Sequence, residues 1–208
     1  MQKLDNQKQI AALDTQNMRG SIAALGQQCC QAWEQATQIS LPASYRRTDA
    51  VVIAGMGGSA LGGDMIASLF FDSLSVPLTV VNRYRVPHWV GKKTICIISS
   101  YSGSTEETVA AFHQARRQHA RIIVIAAGGT LATLAQRHKI PAYIFEPKHN
   151  PSNQPRMGLG YSVMGQLGLL RQARILKIPK SEISHTVQAI ARANRSYMPT
   201  VPTAGNTA

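Results

Sequence analysis

The stretch AVVIAGMGGSALGGD, residues 50–64, decides the fold. A run of small and β-branched apolar residues (50–54) passes into the glycine-rich segment GMGGSALGGD (55–64), and a stretch with helical apolar spacing follows. That order is how a parallel sheet presents backbone N–H groups to an anion at a helix N-terminus. The same order returns where TICIIS (94–99) leads into SSYSGSTEET (99–108) and an amphipathic stretch. Two such loops in one chain point to a binding crevice rather than to two turns.

Further apolar runs occur at LTVV (78–81), RIIVIA (121–126) and AYIF (142–145), which gives five strand candidates in all. They are continuously apolar rather than alternating, as strands buried on both faces are, and helix-like stretches separate them. The helix candidates fall at 59–72, 104–118, 130–138, 157–177 and 181–197. This predicts an α/β architecture with a parallel sheet between two helical layers. In such sheets ligands bind beyond the carboxyl ends of the strands, where both loops would sit.

Upstream, residues 1–40 are rich in Gln, Ala and Leu, with a broken helical stripe of Ile10, Leu13, Ile22, Leu25, Trp33 and Ile39. One or two helices are expected there, with Gly20 and Gly26 as candidate interruptions. Downstream, residues 197–208 lose periodicity and carry two prolines and a glycine, which reads as a linker. The division is a helical segment at 1–40 packing on a domain at 41–198, with the linker at 199–208.

The chain has 208 residues, enough for one generous domain. Lys and Arg outnumber Asp and Glu by 22 to 10, a net charge of +12, which favours anionic partners. The cations are scattered and no aromatic-interleaved basic run appears, which argues against nucleic acid. The polar opening MQKLDNQKQI does not read as a signal peptide, and no apolar run reaches the roughly 18 residues of a membrane span. Cys29, Cys30 and Cys96 make no disulfide framework, so free thiols in the cytoplasm are expected.

Each motif has more than one reading. Gly55, Gly57 and Ala60 fit a dinucleotide fingerprint, but the acidic residue expected about 20 positions later is absent and Asn82, Arg83 and Tyr84 stand there instead. Arg83 leaves an NADP reading open. In the second loop Ser100, Ser102, Ser104 and Thr105 surround Gly103, a good shell for a phosphate dianion. The competing reading is a capping box, with Ser104 as cap and Glu107 reaching back. Glu106 and Glu107 suit a helix dipole better than a catalytic base. The six histidines, His88, His113, His119, His138, His149 and His185, show no metal-ligand spacing and default to solvated surface. Arg156, in NQPRMGLGYS (153–162), follows the fifth strand and could deliver a guanidinium to the same crevice.

Together GMGGSALGGD, SYSGSTEET, the pair Gly128 and Gly129, and PRMGLGYS resemble the sugar isomerase (SIS) domain, and within it the bifunctional phosphoglucose/phosphomannose isomerase family. The resemblance covers nearly the whole chain. It implies a flavodoxin-like sheet of five parallel strands, a hexose phosphate substrate and no cofactor. It also implies that Ser59, Ser100, Ser102 and Thr105 cradle the phosphate while Gly57 and Gly58 line the sugar. Arg156 matches an arginine that stabilises an enediolate. The family's glutamate base, ring-opening histidine and a further lysine come from a second SIS domain and a partner subunit, and none has a matching position here. The resemblance therefore implies an N-terminal portion of a longer, homodimeric isomerase, with residues 206–208 as the entry to the second domain. A phosphosugar-sensing SIS domain without catalysis is the alternative.

Overall fold

The computed structural model describes residues 5–206. Five strands form one all-parallel sheet: β1 (Ala50–Gly55), β2 (Leu78–Val81), β3 (Thr94–Ser99), β4 (Arg121–Ala126) and β5 (Ala142–Ile144). Their spatial order is β2-β1-β3-β4-β5, the flavodoxin-like arrangement. The expected strands and the α/β class are therefore present, with each strand placed within a residue of its expected position.

Alternate residues of the central strands feed two separate cores. Val51, Ile53, Ile95, Ile97, Ile123 and Ile125 face one layer, while Val52, Ala54, Cys96, Ile98, Ile122 and Val124 face the other. This is the period-2 geometry of a strand with both faces covered, and it explains why these runs are apolar throughout. The second face is covered by α5 (Glu106–Arg117) and α6 (Gly129–Arg137), which contribute Ala111, Phe112, Ala115, Leu131 and Ala135. The first carries α4 (Gly58–Leu69) and α7 (Leu159–Gln172), through Ile66, Tyr161, Met164 and Leu169.

The N-terminal segment holds three helices rather than one or two: α1 (Gln7–Leu13), α2 (Met18–Ala23) and α3 (Leu25–Ala36). The interruptions also differ, since Gly20 lies inside α2 and Gly26 inside α3. The first break instead falls at Asn17, which adopts a left-handed conformation and caps α2 by accepting from the Gly20 amide at 3.2 Å. Asn tolerates that conformation and caps from it, which apolar periodicity does not reveal. Met1–Leu4 lie outside the described residues, as do Thr207 and Ala208 of the expected second-domain entry.

Helix α3 crosses α7 at very short range because α7 offers glycines there. A Cβ on Gly168 would stand 2.7 Å from the Ala36 Cβ, and one on Gly160 2.6 Å from the Gln28 Cβ. Small residues at the crossing let the helices interlock, and a larger side chain must push them apart. The Gly168→Val chain is expected to lose about 1–3 kcal/mol of stability in urea unfolding. An unchanged midpoint would mean that α3 does not pack on α7 this closely.

The long final helix, α8 (Lys180–Tyr197), packs on α3 through Val187 and Ile190. Beyond it, Thr203 donates to the Asp5 carboxylate through its amide and its hydroxyl, both at 2.7 Å. Cys29, Cys30 and Cys96 are free thiols, and burial raises all three, Cys96 to about 12. Among the described residues no helix is long and apolar enough to cross a membrane.

Candidate functional site

The two glycine-rich loops leave adjacent strands in the same register. Gly55 at the end of β1 pairs with Ser99 at the end of β3, and Ser99 in turn pairs with Ile125 of β4. The connections from β1 and β3 run to opposite faces of the sheet, so a crevice opens between them at this switch point. Gly58, Ser59, Ser99, Ser100, Tyr101 and Ser162 line it together with Ile125, Phe145, Pro155 and Gly158. Its free volume is only about 10 Å³, room for a single water, so a ligand larger than water could meet these residues only from the mouth.

The first loop is shorter than its sequence suggests. Helix α4 already begins at Gly58, with Gly57 as its N-cap at φ 53°. That leaves Gly57 exposed at the mouth and Ser59 in the first turn, facing the crevice. Gly55 is required by close approach, since a Cβ there would stand 2.9 Å from the Ser59 carbonyl carbon.

The second loop is built around Ser100, which is buried. Its hydroxyl accepts from the Gly103 amide at 3.1 Å and shares a 2.9 Å hydrogen bond with the Thr105 hydroxyl. Thr105 is the N-cap of α5, yet its side chain does not cap the helix. The capping-box reading therefore fails: Ser104 is not the cap, and its hydroxyl instead accepts from the Thr130 amide at 3.3 Å. The first turn of α5 is left with backbone donors that no side chain satisfies. Ser102 stays exposed beside them, its hydroxyl accepting from the Ser104 amide at 3.3 Å.

Gly103, at φ 71°, locks this loop against the next one. A Cβ there would fall 1.8 Å from the Gly128 carbonyl oxygen, and one on Gly129 would fall 2.4 Å from the Ser102 oxygen. The Leu131 amide closes the contact by donating to the Gly103 carbonyl at 2.8 Å. The Gly128–Gly129 pair thus supports the serine loop by backbone-to-backbone packing.

Arg156 lies ahead of α7. It sits in a separate 3₁₀ turn, Pro155–Met157, and its side chain is exposed. The turn nevertheless reaches the mouth, because the Pro155 carbonyl lies 3.7 Å from a Cβ built on Gly58. The N-terminal helices hold it there. The fully buried Gln28 donates to the His149 and Met157 carbonyls, each at 2.9 Å, and accepts from the Gly160 amide at 3.2 Å. A second chain of bonds runs from Ser21 through Ser152 and Asn150 to the Tyr101 hydroxyl, which accepts from Asn150 at 2.7 Å. Burial raises the Tyr101 phenol, so at neutral pH it keeps a proton to donate.

Sequence reasoning missed the amides beneath the crevice. Gln166 is fully buried in α7 and donates to the Ser59 carbonyl at 2.8 Å, tying α7 to the first turn of α4. Its signal was Ser162 and Gln166 four apart in the otherwise largely apolar stretch 159–170, one face of a helical turn. Two histidines also depart from the surface reading: His138 is half-buried against Phe112, and the half-buried His149 donates its amide to the Tyr161 hydroxyl at 3.0 Å.

The chain is an α/β protein with an open parallel sheet, and the two helices at its switch point, α4 and α5, have no side-chain cap at their N-termini. The SIS domain family matches residues 44–164, and the chain belongs to that family. It is 35% identical over 189 residues to a bifunctional phosphoglucose/phosphomannose isomerase of Caldicellulosiruptor bescii, covering 90% of this chain and 54% of the relative. A Thermoplasma volcanium protein of the same name is 35% identical over 130 residues, 61% of this chain and 39% of the relative. The chain thus spans about half the length of the first of these curated relatives and less of the second. Among solved structures, the tagatose-6-phosphate ketose/aldose isomerase of Escherichia coli shares the fold at a TM-score of 0.60 and 18% identity, over 89% of this chain and 52% of that one.

Proposed function

We propose that this chain binds a hexose 6-phosphate across the mouth of the crevice, as the phosphosugar-binding half of an aldose–ketose isomerase. The interconverted sugars would be glucose 6-phosphate or mannose 6-phosphate and fructose 6-phosphate, in the cytoplasm. One observation carries this reading. The α5 N-terminus is left uncapped although four hydroxyl side chains surround it, and Thr105, the residue placed to cap it, turns its hydroxyl to Ser100 instead. Open N–H groups beside hydroxyl donors suit a phosphate dianion.

The chemistry follows from that anchor. Phosphate held at the α5 N-terminus, with Ser59, Ser100, Ser102 and Thr105 around it, would lay the sugar over Gly57 and Gly58 toward the Pro155–Met157 turn. There Arg156 would offset the charge that develops on the enediolate oxygens. A general base must still remove the C2 proton. The described crevice is lined by hydroxyls and the Tyr101 phenol, without a carboxylate or an imidazole. We place the base, with the ring-opening group, on a second domain and a partner subunit of a homodimer.

Calorimetry on the 208-residue chain tests the binding half. Fructose 6-phosphate should bind saturably, fructose should not, and Thr105→Ala should weaken the phosphosugar at least tenfold. Equal affinity in the variant would remove the cradle, and thermal stabilisation by NADP alone would favour the dinucleotide reading. Isomerase activity in this chain by itself would overturn the assignment of the base to another domain.

A further inference from the structure

At the far end of α7 from the crevice lies a second groove, of about 650 Å³, lined by Arg46, Arg171, Arg174 and Lys177 over Leu176 and Ile178. Ser162 of the crevice and Arg171 of the groove stand about 14 Å apart along the axis of α7. Its cations come from three segments: the turn ahead of β1, the last turn of α7 and the connection to α8. Among the described residues none of the four forms an ion pair, and no carboxylate lines the groove. Asp49, close to Arg46 in sequence, pairs instead with Lys93 at 3.5 Å.

Arg171 is already oriented. Its guanidinium carbon lies 5.8 Å from the centroid of the Trp33 ring, and its Nε donates to the Ile178 carbonyl at 3.3 Å. Stacking and that bond fix the plane of the guanidinium and leave its two terminal nitrogens as donors. Neutralising the C-terminus of α7 accounts for Arg171 and Arg174. It does not account for Arg46 from another segment or for Lys177 beyond the helix.

Four unpaired cations around one concavity exceed what a single phosphate needs, and they suit adjacent phosphates, which arginine binds bidentately. The groove offers no free aromatic face, since Arg171 occupies that of Trp33, so a base or a sugar ring has nothing to stack on. We propose that this groove binds a condensed phosphate, and that the phosphate chain rather than any attached nucleoside carries the affinity.

The probes are tripolyphosphate, ATP and a short duplex DNA, titrated into the 208-residue chain at about 0.15 M ionic strength, where scattered surface charge is largely screened. Tripolyphosphate should bind saturably and within about threefold of ATP, and saturating fructose 6-phosphate should leave that titration unchanged. The double variant Arg46→Ala, Arg174→Gly should weaken tripolyphosphate at least tenfold; glycine accepts the left-handed φ of 62° that Arg174 holds. Removing two exposed cations elsewhere, with Arg116→Ala and Arg117→Ala on α5, should change affinity less than twofold. Absence of saturable binding, equal loss in both double variants, displacement by fructose 6-phosphate, or tighter binding of the DNA would each overturn the assignment.

Discussion

The Gly103→Ala chain is expected to lose phosphosugar binding altogether and about 2–5 kcal/mol of stability. Two costs add. Alanine pays roughly 1–2 kcal/mol to hold the left-handed φ of 71°. Its Cβ would also stand 1.8 Å from the Gly128 carbonyl oxygen, a contact with backbone that no rotamer relieves. The loops after β3 and β4 must then separate, breaking the 2.8 Å bond from the Leu131 amide and displacing the residues that precede the α5 N-terminus. Gly91→Ala makes the same chemical change where nothing lies within 4 Å of the added carbon, and should cost less than about 1 kcal/mol. Thermal unfolding and calorimetry on the pair check this. Full phosphosugar affinity in Gly103→Ala would show that the interlocked loops do not shape the site.

Replacing Ser100 by Ala should have the next largest effect. Its hydroxyl is buried and holds both the Gly103 amide and the Thr105 hydroxyl. Removal leaves the Thr105 hydroxyl without that partner and loosens the turn, at a cost of about 1–3 kcal/mol. Affinity for fructose 6-phosphate should fall tenfold to a hundredfold, which corresponds to about 1.4–2.8 kcal/mol. Ser102→Ala separates the two consequences. Ser102 is exposed, so its loss should leave stability within about 0.5 kcal/mol while still weakening the phosphosugar. If Ser102→Ala binds as the parent does, phosphate recognition belongs to the helix N-terminus and the buried hydroxyls alone.

The sheet was legible in the sequence because its three central strands are buried on both faces. Continuous runs such as TICIIS and RIIVIA have no solvent side to accommodate polar residues, so strand positions and class followed directly. The helical N-terminus was less legible. Its first break depends on Asn17 in a left-handed conformation rather than on either glycine, and a change in apolar spacing does not report a polar cap. Of the candidate site, the glycine and serine loops could be read because their composition reflects local backbone demands. What positions them was less legible, because the partners are far apart in sequence. Gln166 meets Ser59 across 107 residues of sequence, and Gln28 meets Met157 across 129. In a string of residues such buried amides look like ordinary polar positions on helices.

The central claim is that phosphate sits on the open N-terminus of α5, at the switch point between β1 and β3. Titrating fructose 6-phosphate into the ¹⁵N-labelled chain, with backbone amides resolved by NMR, tests it most directly. The account predicts saturable shifts concentrated in the amides of Ser102–Thr108, with smaller ones at Gly57–Ser59. Unperturbed amides at the α5 N-terminus, or saturable shifts confined to another part of the fold, would contradict it.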